Sequence, residues 1–590
     1  KHFAVTNLAA SDVVIDTPEN NFCTINNLYD LPSGWTFSEG NLKYTTTTNQ
    51  RGFVCNQSIP LGNRVYWETR VESFGASDDE VYIGVAAEGI ASGNLDENRG
   101  GGAVDNALVY AFSNYDNNVH LNSSTAAGTG PGQYRNSALP TVVGCAVDRV
   151  NHTIKWNLDG GEFSSEFTIP STNDLFPFVG SGGGTSSAVG ILNFGQDDTF
   201  AGAVSSNGIT GGGGKFRHTV PAGYNALSTR NLEEPTLSPN TNRPENGNDH
   251  FDIVTYTGND STNNIAFNMT PDMVWLAMRG STGGGYGKTM WDTSRGDDKY
   301  LYSSGANSEA TGTDYLGFQA NGFQIGVSWD GINHSGENYV TWGWKANGGT
   351  TTTNDASVTG IGTIDSVYQA NPKAGFSIVT YTGTGTAGTI AHGLGKTPKF
   401  ITIKNRDDSA GWITLAMGRL NNGNDVSDPE TDYLYFNTSA DVDDSDDFND
   451  TAPTDTVFSV KTHNLLNSSG DDYVAYVWTD VPGFSKFGGY EGIANANGAY
   501  VHLGFRPKLL ICKNLDTDGS WIIFDSKRHP GNIIDIHTMG DTYAAEGTDD
   551  NMDFLSNGFK CRRSSTSFNS GHSFIYLAWA EQPFKYSNAV

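Results

Sequence analysis

Tyr339-Val340-Thr341-Trp342-Gly343-Trp344 reads as a β-strand with an aromatic residue at its first and last positions. The same spacing returns in Tyr473-Val474-Ala475-Tyr476-Val477-Trp478 and in Phe574-Ile575-Tyr576-Leu577-Ala578-Trp579. Residues five apart on a regular strand point to opposite faces of a sheet. We therefore predict that one ring of each segment fills a core while the other packs outside it or against a neighbour, and that the closing tryptophans are core residues.

Three further landmarks precede each of these segments in the same order. They are a Tyr-x-Gly phrase, a proline 15 to 17 residues after that tyrosine, and an aromatic residue that starts a strand. The landmarks are Tyr256-Thr257-Gly258, Pro271 and Phe323, then Tyr381-Thr382-Gly383, Pro398 and Phe458, then Tyr490-Glu491-Gly492, Pro507 and Phe559. Four landmarks in one order, three times over, predict a triplicated unit of roughly 100 residues, long enough to bury its own core.

Short alternating or apolar runs, bounded by Gly, Asn, Asp, Ser and Thr, dominate the chain. Such runs are strand signals, and helical periodicity is nearly absent. The sequence therefore predicts an all-β protein with an N-terminal β-sandwich followed by three homologous β-sandwich or jelly-roll-like repeats. The predicted boundaries are an arm at 1–20, the first sandwich with a Gly-rich extension at 21–237, linkers at 238–247 and 347–373, and repeats at 248–346, 374–482 and 483–590.

The charge balance excludes some classes of protein. Lys and Arg number 35 against 65 Asp and Glu, a formal charge of −30, which repels phosphate and argues against a nucleic-acid-binding face. No run of 18 apolar residues occurs, so no membrane insertion is expected. The five cysteines are widely spaced and form neither a disulfide framework nor a CxxC metal site, which indicates folding in a reducing compartment.

The N-terminal region has a rhythm of its own. Its successive motifs are Tyr66-Trp67-Glu68, Val143-Gly144-Cys145-Ala146-Val147-Asp148, the Asp159-Gly160 turn, Leu175-Phe176-Pro177 and Asn193-Phe194-Gly195-Gln196. In this order they closely resemble the SPRY (B30.2-like) β-sandwich, with Asp-Gly in place of the family's Asn-Gly turn. The resemblance implies that loops at one end of the sandwich bind partners.

The repeats carry a second resemblance. The Gly-rich extension at 211–227 and segments such as Phe376-Ser377-Ile378-Val379-Thr380-Tyr381-Thr382-Gly383 are similar to structural and fibre proteins of tailed bacteriophages of marine origin. This resemblance implies a virion protein that contacts other virion proteins. It also implies a homotrimer, because fibres of this class are typically trimeric.

Loop aromatic residues are the candidate ligand-binding residues, because sugars stack on Trp and Tyr rings and exposed loops often carry function. The candidates are Tyr286, Trp291 and Trp329 in the first repeat and Tyr115 in a loop of the N-terminal sandwich. Local packing or a subunit contact is the alternative explanation for them.

A candidate calcium site lies in the acidic part of the second repeat. Asp441, Asp443, Ser445 and Asp447 place oxygen atoms at alternate positions, as the first half of a calcium loop does. The turn glycine and the bidentate glutamate of such a loop are missing, so a solvated acidic loop is the alternative. No other cofactor is expected.

The sequence contains no G-x-S-x-G, H-E-x-x-H or P-loop motif, so a non-enzymatic role is expected. The prediction is a tail fibre in the virion that binds host-surface glycan or envelope through many weak contacts. Two alternatives remain open: a capsid- or tail-attached decoration protein without a receptor, and a glycan-depolymerising tail enzyme.

Overall fold

The secondary structure is almost all β, as predicted. A computed structural model describes residues 15–17, 20–28, 34–47, 51–75, 80–87, 109–114, 117–121, 124–133, 138–171, 174–182, 187–237, 246–280, 287–326, 329–418, 429–549 and 551–582. Most of the predicted arm at 1–20 and of the linker at 238–247 lies outside these residues. Within them, helical structure is confined to single turns: α1 (Asp330–Asn333), α2 (Ala356–Thr359) and the 3-10 turns Thr229–Asn231, Gly247–Asp249, Pro429–Thr431 and Asp446–Phe448.

The N-terminal region folds into two antiparallel sheets packed face to face. Its strands are β1 (Trp35–Ser38), β2 (Lys43–Thr46), β3 (Arg51–Val54), β4 (Arg64–Phe74), β5 (Glu80–Ala87), β6 (Val109–Ser113), β7 (Asn118–Leu121), β8 (Ser124–Thr129), β9 (Thr141–Asp148), β10 (Thr153–Leu158), β11 (Phe167–Thr168), β12 (Leu175–Gly182) and β13 (Ala188–Asn193). One sheet has the order β1-β2-β13-β4-β9-β10-β11 and the other β3-β12-β5-β6-β7-β8. Trp156 joins them, because its Nε1 donates a 2.9 Å hydrogen bond to Ile83 O of the opposite sheet.

The Gly-rich extension is tied back onto this sandwich. It contains β14 (Thr210–Gly211), β15 (Gly214–Lys215) and β16 (Asn225–Ala226), and β16 pairs in parallel with β4. The buried Glu68 carboxylate on β4 accepts hydrogen bonds from the backbone N–H of Arg217 at 2.8 Å and of His218 at 2.7 Å. Burial raises the pKa of Glu68 to about 7 against the opposing effect of these donors.

Three further sandwiches, the first, second and third units, follow along the chain. The first unit contains β17 (Phe251–Thr257), β18 (Asn263–Ala266), β19 (Met273–Met278), β20 (Thr289–Asp292), β21 (Lys299–Tyr302), β22 (Ala310–Thr311), β23 (Leu316–Gln319), β24 (Gly322–Ile325) and β25 (Asn338–Trp344). The second contains β26 (Thr352–Asn354), β27 (Ser366–Asn371), β28 (Phe376–Thr382), β29 (Gly388–Ala391), β30 (Phe400–Asn405), β31 (Ile413–Ala416), β32 (Asp432–Tyr435), β33 (Asp443–Asp444), β34 (Val457–Val460) and β35 (Asp472–Trp478). The third contains β36 (Ser485–Glu491), β37 (Tyr500–His502), β38 (Pro507–Asn514), β39 (Ile522–Asp525), β40 (His537–Met539), β41 (Met552–Leu555), β42 (Gly558–Cys561) and β43 (Ser573–Ala580).

The large sheets of the three units share one strand order. They run β17-β25-β19-β20-β21-β22, then β28-β35-β30-β31-β32-β33, then β36-β43-β38-β39-β40. The small sheets are β18-β24-β23, β29-β34 and β37-β42-β41. The closing strand β25 lies between β17 and β19, β35 lies between β28 and β30, and β43 lies between β36 and β38, so each closing strand is paired on both sides.

The Tyr-x-Gly phrase anchors the first strand of each unit to the loop before the closing strand. In the second unit, Tyr381 Oη donates a 2.6 Å hydrogen bond to Leu466 O, and the Tyr381 ring stacks on Tyr473 with centroids 5.1 Å apart. A Cβ on Gly383 would lie 2.1 Å from Ser468 O, so only glycine fits there. Equivalent contacts are made by Tyr256 and Gly258 and by Tyr490 and Gly492.

The two faces of the closing strands enter different cores, as predicted. Tyr339, Tyr473 and Phe574 lie in the cores of their own units. The closing tryptophans meet in a core that all three units share, with centroid distances of 5.4 Å for Trp344–Trp579, 6.1 Å for Trp344–Trp478 and 6.2 Å for Trp478–Trp579. All three tryptophan side chains are buried, as predicted.

The linker predicted at 347–373 is wrong. Strands β26 and β27 extend the large sheet of the second unit, with β27 paired antiparallel to β28. The Thr-rich composition suggested a linker because threonine is common in polar connections, but β-branched residues also suit an edge strand.

The N-terminal sandwich docks onto the third unit. Asp174 forms a 2.7 Å ion pair with Lys486, and the edge of the Phe176 ring contacts the buried His502 ring at 5.5 Å. Lys560 Nζ donates a 2.6 Å hydrogen bond to Leu28 O. No helix among the described residues has the length and apolar character needed to cross a bilayer.

Candidate functional site

An aromatic cluster occupies the β20–β21 side of the first unit. We define it as Trp291 on β20, Tyr300 and Tyr302 on β21, Tyr315 after β22, and Trp329 before α1. Trp291 and Tyr300 face each other across the antiparallel β20–β21 pair, and their rings stack with centroids 4.7 Å apart. The strand register therefore places the base of the cluster, and two loops bring the other rings onto it.

The cluster is buried at its base and open at its rim. Trp291 and Tyr300 are buried, whereas Tyr302, Tyr315 and Trp329 are half-buried. Trp329 stacks on Tyr315 at 5.0 Å with an interplanar angle of 27°, and it contacts Tyr300 at 5.1 Å. Tyr302 meets Tyr300 edge-on at 5.5 Å. Such offset and edge-to-face contacts add to the stabilisation that the rings gain from burial.

Glycines lie directly against the rim rings. A Cβ on Gly312 would lie 2.3 Å from the Tyr315 ring, and one on Gly331 would lie 2.9 Å from the Trp329 ring. Each ring therefore packs directly against the backbone of a glycine, which restricts its orientation. A preorganised ring loses little conformational freedom when it binds a ligand.

The cluster reaches the boundary with the third unit. A Cβ on Gly287 would lie 2.3 Å from the Tyr302 ring and 2.8 Å from the ring of Tyr543, which belongs to the third unit. Tyr543 is 47% exposed, an unusual exposure for a ring of this size. The rim is thus a surface to which two units contribute.

Burial raises the pKa of two hydroxyl groups in the aromatic cluster, those of Tyr300 and Tyr302, above their ordinary values. Ring faces that carry hydroxyl groups suit a ligand with both apolar faces and hydroxyls.

The predicted ligand-binding residues have different outcomes. Trp329 lies in the cluster, and its side chain is half-buried. Trp291 is wrong as a ligand-binding residue, because its ring is completely buried and its Nε1 donates a 3.0 Å hydrogen bond to Thr289. Tyr286 and Tyr115 lie outside the described residues.

Three rings of the cluster were not predicted. Tyr300 and Tyr302 alternate along a strand and so share one face, but this pattern is also that of an ordinary core strand. Tyr315 carries no local signal at all. Only the fold brings it to Trp329.

The structure does not bring together the predicted calcium ligands Asp441, Asp443, Ser445 and Asp447. Asp443 accepts a 3.1 Å hydrogen bond from Tyr433, and Asp447 is buried 3.2 Å from His463. Where the structure describes the chain, no three His, Cys, Asp or Glu side chains come together to hold a metal ion. The alternating carboxylates are directed to different protein partners because the segment turns from the short strand β33 into the 3-10 turn Asp446–Phe448.

Two sequence families match the chain. The SPRY domain matches residues 64–197, which confirms the predicted N-terminal SPRY β-sandwich. A family described as "Domain of unknown function (DUF7483)" matches residues 246–583, more than half of the chain and all three units. No curated protein matches.

Solved SPRY domains are similar to the N-terminal region. The SPRY domain of human HERC1 is 12% identical with a TM-score of 0.21, and the alignment covers 27% of this chain and 91% of that one. The TRIM65 PSpry domain is 13% identical with a TM-score of 0.22, covering 29% of this chain and 90% of that one. Nothing further about this chain follows from scores of that size.

Proposed function

The chain belongs to the DUF7483 family, and from that premise we propose that it is a non-enzymatic fibre protein of a tailed-phage virion that binds host-surface glycan through the aromatic cluster. The observation that carries this proposal is the half-buried rim of Tyr302, Tyr315 and Trp329 on a buried aromatic base. The strand order that the large sheets of the three units have in common supports the predicted triplication.

Neutral or weakly charged glycans fit this surface best. The formal charge of the chain is −30, so an anionic polymer would be repelled at long range. Aromatic residues in partly desolvated pockets are the usual energetic centre of a binding surface. A single shallow cluster supplies modest affinity, and many copies on one particle multiply it into firm adhesion.

Binding of the purified full chain to immobilised neutral and anionic bacterial surface polysaccharides tests the proposal. We expect binding to at least one neutral polysaccharide, and a loss of at least about fivefold in affinity, or about 1 kcal/mol of binding free energy, for Trp329→Ala and Tyr315→Ala. Leu61→Ala is the matched control, because Leu61 is 50% exposed on the N-terminal sandwich.

Two results would count against the proposal. Equal affinity of wild type and Trp329→Ala would remove the cluster from the binding surface. Absence of binding to every polysaccharide would favour a structural decoration protein without a receptor, and release of reducing sugar from a bound polysaccharide would favour a depolymerase.

A further inference from the structure

The three units contact one another in a cyclic order through equivalent positions. At each junction a backbone N–H of one unit donates to the carbonyl of the residue that directly follows β30, β38 or β19 of the next unit. These pairs are Glu309–Arg406, Val442–Leu515 and Glu546–Arg279, at 2.8, 3.0 and 3.1 Å. They join the first unit to the second, the second to the third, and the third back to the first.

The junction between the first and second units is ionic. Arg406 of the second unit donates two 2.9 Å hydrogen bonds to the Glu309 carboxylate of the first. Arg295 also reaches Glu309 at 3.1 Å, and its own partner Asp292 is completely buried with it. Tyr476, on the closing strand of the second unit, donates a 2.7 Å hydrogen bond to Asp292.

The junction between the third and first units repeats this arrangement. Arg279 of the first unit binds the Glu546 carboxylate of the third at 2.8 and 2.7 Å. Arg528 and Asp525 form a completely buried pair at 2.6 Å. Trp342, on the closing strand of the first unit, donates to Asp525 at 3.3 Å and lies under the Arg528 guanidinium at 5.6 Å.

At the described positions, the junction between the second and third units has apolar side chains; the residue that corresponds by spacing to Arg295 and Arg528 is Arg419, which lies outside the described residues. Val442 replaces the glutamate and Leu515 replaces the arginine, while their backbone contact is retained. Ala416 stands at the aspartate position, since it pairs with Phe400 as Asp525 pairs with Leu509. Leu577 takes the place of the closing-strand Tyr or Trp. All four apolar side chains belong to the shared core or pack against it.

The glutamate and the arginine that meet across a junction are therefore replaced together and not singly. A junction that paired Glu309 with Leu515 would leave the Glu309 carboxylate with Arg295 alone, and one that paired Val442 with Arg279 would leave the Arg279 guanidinium without its carboxylate partner. Breaking a buried ion pair in that way is strongly destabilising, whereas an apolar replacement of both partners is tolerated. A charged junction surface placed against an apolar one would leave a charge without its full set of partners. This cost disfavours wrong pairings of the units.

We infer that each junction surface binds the next unit of the same chain, in the order first, second, third and back to first. Because the ring of units closes, none of these surfaces is left to bind another copy of the chain. The DUF7483 region is then a one-chain equivalent of a trimer. This inference is independent of glycan binding. These junction surfaces are therefore not the ones that would join three chains in the homotrimer that the fibre resemblance implies.

Double-variant cycles on the full chain test the pairing. We expect Glu309→Val and Arg406→Leu each to lower the melting temperature by several degrees, and the double variant to regain most of that loss, because the apolar pair is the one found at the neighbouring junction. Val442→Glu, with Leu515→Arg as its rescue, is the reverse cycle. If Glu309→Val and Arg406→Leu fail to fold, this reverse cycle still tests the pairing.

The mass of the wild-type protein in solution tests the closure. We expect a single-chain mass across a wide range of concentration, measured by light scattering after size exclusion. Additive effects in both cycles would overturn the pairing. A wild-type trimer that becomes monomeric in Arg406→Leu would overturn the closure within one chain.

Discussion

At the residue scale, the Tyr-x-Gly phrase is explained by contact with backbone atoms. In the third unit, Tyr490 Oη donates a 2.6 Å hydrogen bond to Phe568 O, and a Cβ on Gly492 would lie 2.0 Å from Ser570 O. A carbonyl oxygen cannot move aside as a flexible side chain can. The phrase thus marks the point where the first strand passes the loop before the closing strand.

Gly492→Ala should therefore destabilise the protein, and Gly571→Ala should not. The first change forces the backbone apart, with a cost of about 1–3 kcal/mol typical of overpacking. Gly571 has open space around its Cβ position, so its substitution should stay within about 0.5 kcal/mol. Urea denaturation followed by tryptophan fluorescence measures both, and equal midpoints would contradict the close approach.

At the element scale, each closing strand is buried on both faces, because one face serves its unit and the other serves the shared core. The residues of β35 from Tyr473 to Trp478 are all buried. Alternation of polar and apolar residues is lost in such a strand, since no face meets water. The spacing of the aromatic rings still indicates that both faces of the strand are packed. It does not indicate how many units meet at the second face.

In the part of the second unit's acidic loop that the structure describes, no three carboxylates come together, so calcium should not stabilise the protein. We expect Ca²⁺ up to about 1 mM, the upper range for extracellular calcium modules, to shift the melting temperature by less than about 1 °C. EDTA should likewise have no effect. A saturating rise of several degrees, abolished by Asp443→Asn, would restore the calcium hypothesis.

At the scale of the whole molecule, the N-terminal sandwich contacts the third unit, and the third unit contacts the first and second units. His502 lies at the docking surface between the sandwich and the third unit, where burial, aided by Lys486 and opposed by Asp174, lowers its pKa to about 3. His392, in the second unit, has its pKa lowered by burial to about 4. Both imidazoles must stay neutral in the folded protein.

Stability should consequently fall with acid. A histidine with a folded pKa below its unfolded value of about 6.5 contributes stability above pH 6.5, and that contribution is lost as the pH falls towards the folded pKa. Each group contributes a slope of up to about 1.4 kcal/mol per pH unit. His502→Gln should flatten the dependence of the urea midpoint on pH between 6.5 and 4.

An unaltered slope in His502→Gln would contradict this prediction. It would mean that His502 takes up a proton without loosening the docking surface.

The sequence by itself determined the all-β class, the SPRY sandwich and the two-faced closing strands, because these depend on short-range periodicity and on motifs a few residues long. Trp344, Trp478 and Trp579 could be placed in a core for the same reason. Tertiary structure alone decided that these rings share one core, that Trp291 is buried beneath Trp329 and its neighbours, and that the acidic loop separates its carboxylates. Those outcomes join residues up to hundreds of positions apart, and no local pattern specifies which distant side chain will fill a given space.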